Sequence, residues 1–289
     1  MLTSPLRYPG GKAKLFPFFT ALIKQNNLFE STYCEPYAGG AGLALRLLED
    51  GFVQRIRIND IDPSIYAFWI SAIRNSDEFC NLIEKTAIDI GEWHKQRKIW
   101  RNRDIADPLQ LGFATYFLNR TNRSGIIDGA GPIGGYAQIG TWKLDARFVK
   151  ERQIENIRRL GRWKSKIEVS NLDAMDFFHI TNSIQDAFVY LDPPYYVKGH
   201  KLYTNFYKPE NHTDIASELT RQRHKRWIVS YDDVPQIREI YSTFEPITYA
   251  LQYSAGRAGT GNEVIYASDA LTVPAMPNLY ARTALKSAA

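Results

Sequence analysis

The chain has 289 residues, of which 44% are hydrophobic and 13% are aromatic. That length fits one large domain, or one domain with a substantial insertion. The two cysteines, Cys34 and Cys80, lie far apart and follow neither a disulfide nor a zinc pattern, which excludes a small disulfide-stabilised domain. There is no signal-peptide core and no run near the ~18 apolar residues of a membrane span, so we expect a soluble, cytoplasmic protein with no membrane partner.

The net charge of +5 is concentrated in the middle of the chain. Between Lys95 and Lys166 there are sixteen Lys and Arg residues against six Asp and Glu, so the rest of the chain is net negative. Neutralisation of phosphates supplies most of the non-specific affinity of proteins for DNA. The distribution favours a segment that holds a nucleic acid, although a solvated helical surface would have the same composition.

The first notable segment is Arg7-Tyr8-Pro9-Gly10-Gly11-Lys12. It lacks the glycine spacing of a P-loop, and Ala13 stands where a Ser or Thr would follow the lysine. Phosphate binding is therefore not indicated by these residues alone. Apolar residues then recur at helical spacing and predict an amphipathic helix, at Leu15, Phe18, Phe19, Leu22 and Ile23.

A strand, a glycine-rich turn and a helix come next. The predicted strand covers 32–35, the turn covers 36–42, and the helix starts at Leu43. A second strand ends in Asp60, about twenty residues after the turn, where dinucleotide-type sites place a carboxylate that binds ribose. Asp60 could instead cap the following helix, but Asp62 is better placed as its N-cap.

Residues 77–163 interrupt the strand pattern. Consecutive strands of an α/β sheet are usually joined by one helix and short loops, so we predict an inserted, mainly helical lobe that carries the basic excess. Rings and cations alternate near Trp93, Arg97 and Trp100, as contacts with bases and phosphates require. Buried core aromatics would give the same pattern. A glycine-rich loop at 129–135 is either ordered by DNA or a plain connector.

After a predicted basic helix at 146–163, the sheet resumes with a strand at 167–170. The most informative stretch follows at 189–196, where apolar residues run up to an acid, a proline pair and two rings, Asp192, Pro193, Pro194, Tyr195 and Tyr196. This pattern predicts a buried strand that ends abruptly, and open α/β sheets place ligands at such strand ends. An ordinary turn with Asp192 as a cap is the alternative.

These residue types suit chemistry on an exocyclic amine. Such an amine is a weak nucleophile because its lone pair is delocalised into the ring. Asp192 and a carbonyl of the proline pair would accept hydrogen bonds from its N–H groups, in a turn that the prolines stiffen. Tyr195 would offer a flat face to a base extruded from a duplex. Neither a metal nor a covalent intermediate is required.

The remaining pattern completes a sheet. We predict a mobile aromatic loop at 198–207, strands at 226–231, 247–253 and 263–268, and a disordered tail at 274–289. Arg257, in a glycine-containing loop, is a candidate phosphate contact.

Together these motifs resemble those of the D12 class (Dam-like) of DNA adenine N6-methyltransferases. The resemblance covers most of the chain, with Asp-Pro-Pro-Tyr at 192–195 as its signature. It implies an α/β, Rossmann-like methyltransferase sheet formed by 1–76 and 164–273, with a helical DNA-recognition lobe at 77–163. It also implies S-adenosylmethionine as cofactor and double-stranded DNA as substrate, and a cognate restriction endonuclease is a partner that this class allows.

The same resemblance implies the site residues. The catalytic ones are Asp192, Pro193, Pro194 and Tyr195, and the cofactor-binding ones are Tyr8, Lys12, Glu35, Tyr37, Gly39, Asp60, Asp176 and Asp192. The cofactor turn of the family has two glycines, at positions that match Gly39 and Ala41. The chain therefore departs from the family at the second position, and Gly42 comes one residue later.

The segment that the family inserts into DNA is matched at 116–125, which implies DNA contacts by Asn119, Arg120, Asn122, Arg123 and Ser124. GATC-type members carry an aromatic residue, an Asn and an Arg at three positions here occupied by Arg123, Ser124 and Asp128. GATC specificity is therefore not implied.

Other functions remain open at this level. Cytosine N4-methylation shares the amine chemistry, but enzymes of that type usually carry Ser in place of Asp192. An RNA adenine methyltransferase and a catalytically silent regulator that binds S-adenosylmethionine and DNA would share most of the motifs. A nicotinamide-dependent dehydrogenase fits the glycine turn and Asp60 but gives no role to the proline pair or the basic lobe.

Overall fold

The structure is a computed structural model that describes residues 3–7, 12–104, 106–197, 207–253 and 259–276. Its strands are β1 Thr32–Glu35, β2 Arg55–Asn59, β3 Ile167–Ser170, β4 Ala187–Leu191, β5 Trp227–Asp232, β6 Ile247–Tyr253 and β7 Gly259–Ala267. Its α-helices are α1 Phe16–Gln25, α2 Gly42–Glu49, α3 Pro63–Arg74, α4 Ser76–Lys85, α5 Ile90–Arg101, α6 Pro108–Thr121, α7 Lys150–Gly161, α8 Ala174–Asn182, α9 Pro209–Arg221 and α10 Pro235–Ile240.

The seven strands form one sheet in the order β3-β2-β1-β4-β5-β7-β6. The first five strands in this order are parallel, and β7 is antiparallel to both of its neighbours. The predicted α/β, Rossmann-like sheet is therefore confirmed. The strand order reverses between β1 and β4, and ligands bind at such switch points, at the carboxyl ends of the strands.

Successive side chains of the central strands point to opposite faces of the sheet, so each face has a hydrophobic core. In β1 and β4, Tyr33 and Phe188 belong to one hydrophobic cluster, whereas the next residues, Cys34 and Val189, belong to the other. Every residue of β4 is buried, because a parallel strand covered on both faces is apolar throughout. The carboxyl end of β4 is thus held by packing on two sides.

Helices α4 to α7 all lie between β2 and β3, in the segment that the sequence predicts to be an inserted helical lobe. Their buried rings, Trp93 and Tyr116 among them, belong to the same cluster as Phe68 of α3. A Cβ added at Gly112 of α6 would lie 2.4 Å from the Ala67 carbonyl oxygen, so glycine permits this close approach of α6 to α3. Trp93 and Tyr116 are therefore core residues, while the lobe boundaries at 77 and 163 stay a prediction.

One smaller expectation differs from the structure. The basic helix predicted at 146–163 is divided: a 3₁₀ turn, Leu144–Arg147, precedes α7, and Phe148 between them has φ −124° and ψ 64°, which no helix accommodates.

Tyr8, Arg257 and most of the 198–207 loop lie outside the described residues. None of the helices in the described part of the chain has the length and hydropathy that a bilayer crossing requires.

Candidate active site

The turn after β4 is fixed by the end of the neighbouring strand. Pro193 and Pro194 are buried, and the backbone N–H groups of Tyr196 and Val197 donate to the two carboxylate oxygens of Asp232, at 2.9 and 3.2 Å. Asp232 is the last residue of β5, so the parallel pairing of β4 and β5 brings it to this turn. The carboxylate holds the backbone that leaves the proline pair.

Asp192 leads this turn, and its side chain is 23% exposed. The Ser230 hydroxyl donates to Oδ1 of Asp192 at 2.9 Å, and Tyr190 OH lies 2.7 Å from the same hydroxyl. Because the Ser230 hydroxyl proton is donated to Asp192, the Tyr190 hydroxyl is the donor to Ser230. Lys12 Nζ lies 3.2 Å from the same Oδ1. Among the described residues, none donates to Oδ2.

Lys12 is buried between two carboxylates. Its Nζ donates to Oε2 of Glu263 at 2.9 Å and to Tyr195 OH at 3.0 Å. Burial alone would lower the pKa of Lys12, but Asp192, nearby tyrosines and Glu263 raise it well above its usual range. Lys12 is therefore a fixed cation beside the catalytic-motif acid.

Glu263, a fully buried residue of β7, accepts hydrogen bonds from three side chains. Besides Lys12, Tyr195 OH donates to Oε1 at 2.6 Å, and Tyr249 OH of β6 donates to Oε2. Burial would raise the pKa of Glu263, but Lys12 and the two tyrosine hydrogen bonds lower it below its usual range. Asp192 differs: burial raises its pKa, and Lys12 opposes that effect only in part. No motif in the sequence distinguishes Glu263, Ser230 or Tyr249 from other polar residues of strands.

Tyr195 is only 3% exposed, and the Lys12 ammonium lies 4.9 Å from the centroid of its ring. Its hydroxyl is held by Glu263 and Lys12. In this conformation the ring is not an open stacking face, so stacking of a target base on it requires a rearrangement. That role of Tyr195 stays a prediction.

The glycine-rich turn lies at the carboxyl end of β1, beside the end of β2. Gly39 and Ala41 both have a φ of 45°, so the left-handed conformation that favours glycine persists at position 41 although the residue is alanine. Oδ2 of Asp60 accepts from the Gly39 N–H at 2.9 Å, and the Trp69 indole donates to the Gly39 carbonyl at 2.9 Å. Asp62 caps α3 through the Ser64 N–H, as predicted, which leaves Asp60 to the turn.

Two acidic side chains at the carboxyl ends of β1 and β2 have raised pKa values. Burial raises the pKa of Asp60 to about 7 and that of Glu35 to about 8, although hydrogen bonds oppose the shift in both cases. Glu35 accepts from Tyr33 OH at 3.0 Å. Tyr37 OH lies 3.1 Å from Tyr207 OH. Asp176 is exposed in the first turn of α8, beyond β3.

The donor set fits S-adenosylmethionine. A carboxylate at the end of β2, beside a glycine turn at the end of β1, is the arrangement that accepts hydrogen bonds from ribose hydroxyls. Asp60, with a pKa of about 7, is partly ionised at neutral pH and can accept from a ribose hydroxyl, whereas Glu35, with a pKa of about 8, is mainly protonated; Tyr37 adds a ring. The predicted cofactor residues Gly39, Asp60 and Glu35 thus lie together at the carboxyl ends of β1 and β2. Lys12 lies nearby, at the carboxyl end of β4, where it contacts Asp192.

The predicted DNA-binding residues separate into two groups. Asn119 and Asn122 are buried, and their amides are engaged internally. Asn119 accepts from the Arg7 N–H at 2.7 Å and donates to the carbonyls of Arg7 and Gly125. Asn122 accepts from the Trp93 indole at 2.8 Å and donates to two carbonyls of the next turn. This placement does not favour direct DNA contact by either amide.

The other group lies at or near the surface. Arg123 and Ser124 are exposed, and Ser124 has a φ of 57° in the turn after α6. Arg120 is partly buried and donates to the Arg147 carbonyl through Nε at 2.8 Å and through a second guanidinium nitrogen. Arg123 is thus the cation of this segment that is best placed for a phosphate.

Comparison with protein families settles the class. The family model of D12 class N6 adenine-specific DNA methyltransferases matches residues 8–255, which include the glycine turn, the helices between β2 and β3, and the turn at Asp192. The chain belongs to this family. This D12 methyltransferase is therefore an enzyme that methylates adenine N6 in DNA, as its motifs indicate. No curated protein matches it.

Proposed function

We propose that this D12 methyltransferase takes a methyl group from S-adenosylmethionine and places it on N6 of an adenine extruded from double-stranded DNA. The observation that carries the proposal is the state of Asp192: Oδ1 is held by Lys12 and Ser230, while no described residue donates to Oδ2. One oxygen is therefore fixed, and the other can accept from an incoming amine.

Asp192 would act by accepting a hydrogen bond from an N6–H of adenine. This bond favours the tetrahedral nitrogen, whose lone pair is no longer delocalised into the ring and can attack a methyl carbon. S-Adenosylmethionine supplies that methyl on a sulfonium centre when it is bound. The stiff proline turn and the Asp232 hydrogen bonds keep the carboxylate in place, because an in-line displacement depends on positioning.

Cofactor binding is assigned to the ends of β1 and β2. Asp60 would accept from the ribose hydroxyls, Gly39 would allow backbone approach, and Glu35, Tyr37 and Asp176 would line the remaining surface. Tyr8 precedes Lys12 by only four residues and is proposed to pack on the cofactor. Lys12 is proposed to hold the catalytic-motif carboxylate, in addition to the cofactor role that the family resemblance implies.

Asp192→Ala tests the function in one experiment. Wild-type protein is incubated with methyl-labelled S-adenosylmethionine and unmethylated DNA, the DNA is digested to nucleosides, and the labelled nucleoside is identified. We expect label in N6-methyl-2′-deoxyadenosine, no label with the variant, and equal DNA binding by both proteins. Label in N4-methyl-2′-deoxycytidine, or label only with RNA, would overturn the proposal.

A further inference from the structure

A histidine that the proposed mechanism does not use is buried beside the catalytic turn. His212 lies near the start of α9 and is 1% exposed. Its Nδ1 lies 3.4 Å from Tyr231 OH, and its Nε2 has no hydrogen-bond partner in the described part of the chain. Burial lowers the pKa of His212, although Asp232 opposes this effect, so the ring is neutral at neutral pH. Buried polar atoms are rarely left unpaired, so this position requires an explanation.

Three tyrosine rings contact the imidazole. The centroid distances from His212 are 5.1 Å to Tyr196, 5.5 Å to Tyr231 and 5.7 Å to Tyr207, all within the range of aromatic pairs. The ring is held mainly by this packing, because its one hydrogen bond is long and its second nitrogen has none. It can therefore follow a movement of the tyrosines without breaking a strong hydrogen bond.

The first of these tyrosines belongs to the catalytic turn. Tyr196 directly follows Tyr195 of the Asp-Pro-Pro-Tyr motif, and its N–H donates to Oδ1 of Asp232 at 2.9 Å. The Tyr195 ring is buried in this conformation, so it must turn outward before a base can stack on it. That movement acts on the adjoining backbone of Tyr196, and so on the contact between Tyr196 and His212.

A second tyrosine connects the same imidazole to the cofactor turn. Tyr207 OH lies 3.1 Å from Tyr37 OH, and the two rings meet edge to face with centroids 6.0 Å apart. Tyr37 lies in the glycine-rich turn after β1, to which we assign S-adenosylmethionine. Burial raises the pKa of Tyr207, the hydrogen bond to Tyr37 opposes this effect, and the carboxylates of Asp173 and Asp60 add to it. Tyr207 thus lies within electrostatic reach of Asp60, the proposed ribose acceptor.

These contacts form a continuous aromatic row from the cofactor turn to the catalytic turn, through Tyr37, Tyr207, His212 and Tyr196. We propose that His212 is a positioning residue at the centre of this row, which couples occupation of the cofactor site to the position of the catalytic turn. This inference rests on the proposed function. A cofactor that moves Tyr37 then shifts the conformation of the catalytic turn, and a base bound at that turn affects the cofactor site in return, because coupling between sites is reciprocal.

The test measures this coupling by binding. Sequencing of DNA methylated by the wild-type protein gives the target site, and S-adenosylhomocysteine, which has no methyl group to transfer, serves as the cofactor probe. We expect saturating S-adenosylhomocysteine to raise the affinity of the wild-type protein for a duplex with this site by at least about fivefold. His212→Ala should reduce this factor to less than about twofold, while it changes the affinity for either ligand alone by less than about threefold.

The rate of methyl transfer gives a second readout of the same variant. Misplacement of reacting groups lowers the rate of the chemical step without weakening ground-state binding, so the single-turnover rate of His212→Ala should fall by at least about tenfold.

Two further variants separate positioning from packing. His212→Phe keeps a ring against the tyrosines and removes the unpaired nitrogen, so it should retain most of the coupling and unfold at no lower temperature than the wild type. Leu219→Ala removes a fully buried side chain two turns further along α9, so it should lower the unfolding temperature but keep the wild-type coupling.

Three results would overturn the role of His212: no coupling in the wild-type protein, unchanged coupling in His212→Ala, or an equal loss of coupling in Leu219→Ala. A stable His212→Phe protein as defective as His212→Ala would also contradict it, since a ring nitrogen rather than the aromatic row would then be responsible. Absence of methyl transfer to DNA by the wild-type protein would instead overturn the proposed function.

Discussion

Nζ of Lys12 lies 3.2 Å from Oδ1 of Asp192 and 2.9 Å from Oε2 of Glu263. One ammonium thus pairs with two carboxylates that come from different parts of the chain. Removal of one member of a buried ionic group leaves an uncompensated charge, which is more damaging than the net value of the intact group. The Lys12 position therefore affects both folding and the protonation of Asp192.

Lys12→Met should lower the free energy of unfolding by about 3 kcal/mol and abolish methyl transfer at neutral pH. Asp192 and Glu263 would then face each other without a cation and hold a proton between them. Urea unfolding, with an unchanged m-value, measures the first effect, and the labelled transfer reaction measures the second.

The matched control is the double variant Lys12→Met with Glu263→Gln, which restores the charge balance. It should recover at least about 1 kcal/mol of the lost stability. If the two substitutions were simply additive, the ionic group would have no energetic coupling and this account of it would be wrong.

Asp192→Ala should reduce the transfer rate by at least about 100-fold, the usual cost of removing a group that stabilises the transition state. Ser230→Ala should have a smaller effect, since it removes one hydrogen bond to Oδ1, worth about 1 kcal/mol. Single-turnover rates with saturating DNA measure both. Asp269→Ala, an acid paired with Arg223 at the surface, is the control and should be as active as the wild type. An equally active Ser230→Ala would remove that serine from the proposed positioning of Asp192.

The sequence located the parts of this site that are local and missed the parts that depend on strand direction. Asp192 and its prolines form a contiguous motif, and Asp60 follows a recognisable strand. No local sequence pattern identifies Glu263. It reaches the site because β7, which carries it, runs antiparallel between β5 and β6. Its neighbour in the register is Asp232, another residue that sequence patterns alone could not place.

Burial is the second feature that the sequence could not supply. An Asn side chain that contacts DNA and an Asn side chain that holds a turn together cannot be distinguished in a sequence. Asn119 and Asn122 match a family motif, yet their hydrogen bonds are directed to Arg7, Trp93 and the turn after α6. In contrast, Asp62 could be identified as a helix cap, because capping depends only on residues adjacent in sequence.

The affinity for S-adenosylmethionine should depend on pH through Asp60. Its pKa in the folded protein is raised to about 7, and the ionised form is the better acceptor for ribose hydroxyls. The dissociation constant should therefore rise about tenfold per unit as pH falls below 7. Titration calorimetry between pH 5.5 and 8.5, in the absence of DNA, provides the measurement.

Asp60→Asn serves as the control for this titration. It should bind S-adenosylmethionine more weakly, with most of the pH dependence gone. The same shift has a sign for stability: the unliganded folded protein keeps the Asp60 proton up to about pH 7, whereas the unfolded chain releases it near pH 4, so this group makes the free energy of unfolding fall as pH rises across that interval. A wild-type dissociation constant in the variant would remove Asp60 from the cofactor site.

Asn119→Ala and Arg123→Ala should separate folding from DNA binding. Asn119→Ala leaves a backbone N–H and two carbonyls without their partner, so it should cost about 2 kcal/mol of stability. Arg123→Ala should leave stability unchanged but lower DNA affinity and reduce the salt slope of binding by about one. Asn156→Ala, which removes one exposed bond to Thr3, is the control and should change stability by less than about 0.5 kcal/mol. Fluorescence anisotropy at several salt concentrations and thermal unfolding measure the two effects. A stable Asn119→Ala protein with weakened DNA binding would show that this amide contacts DNA directly, against its burial here.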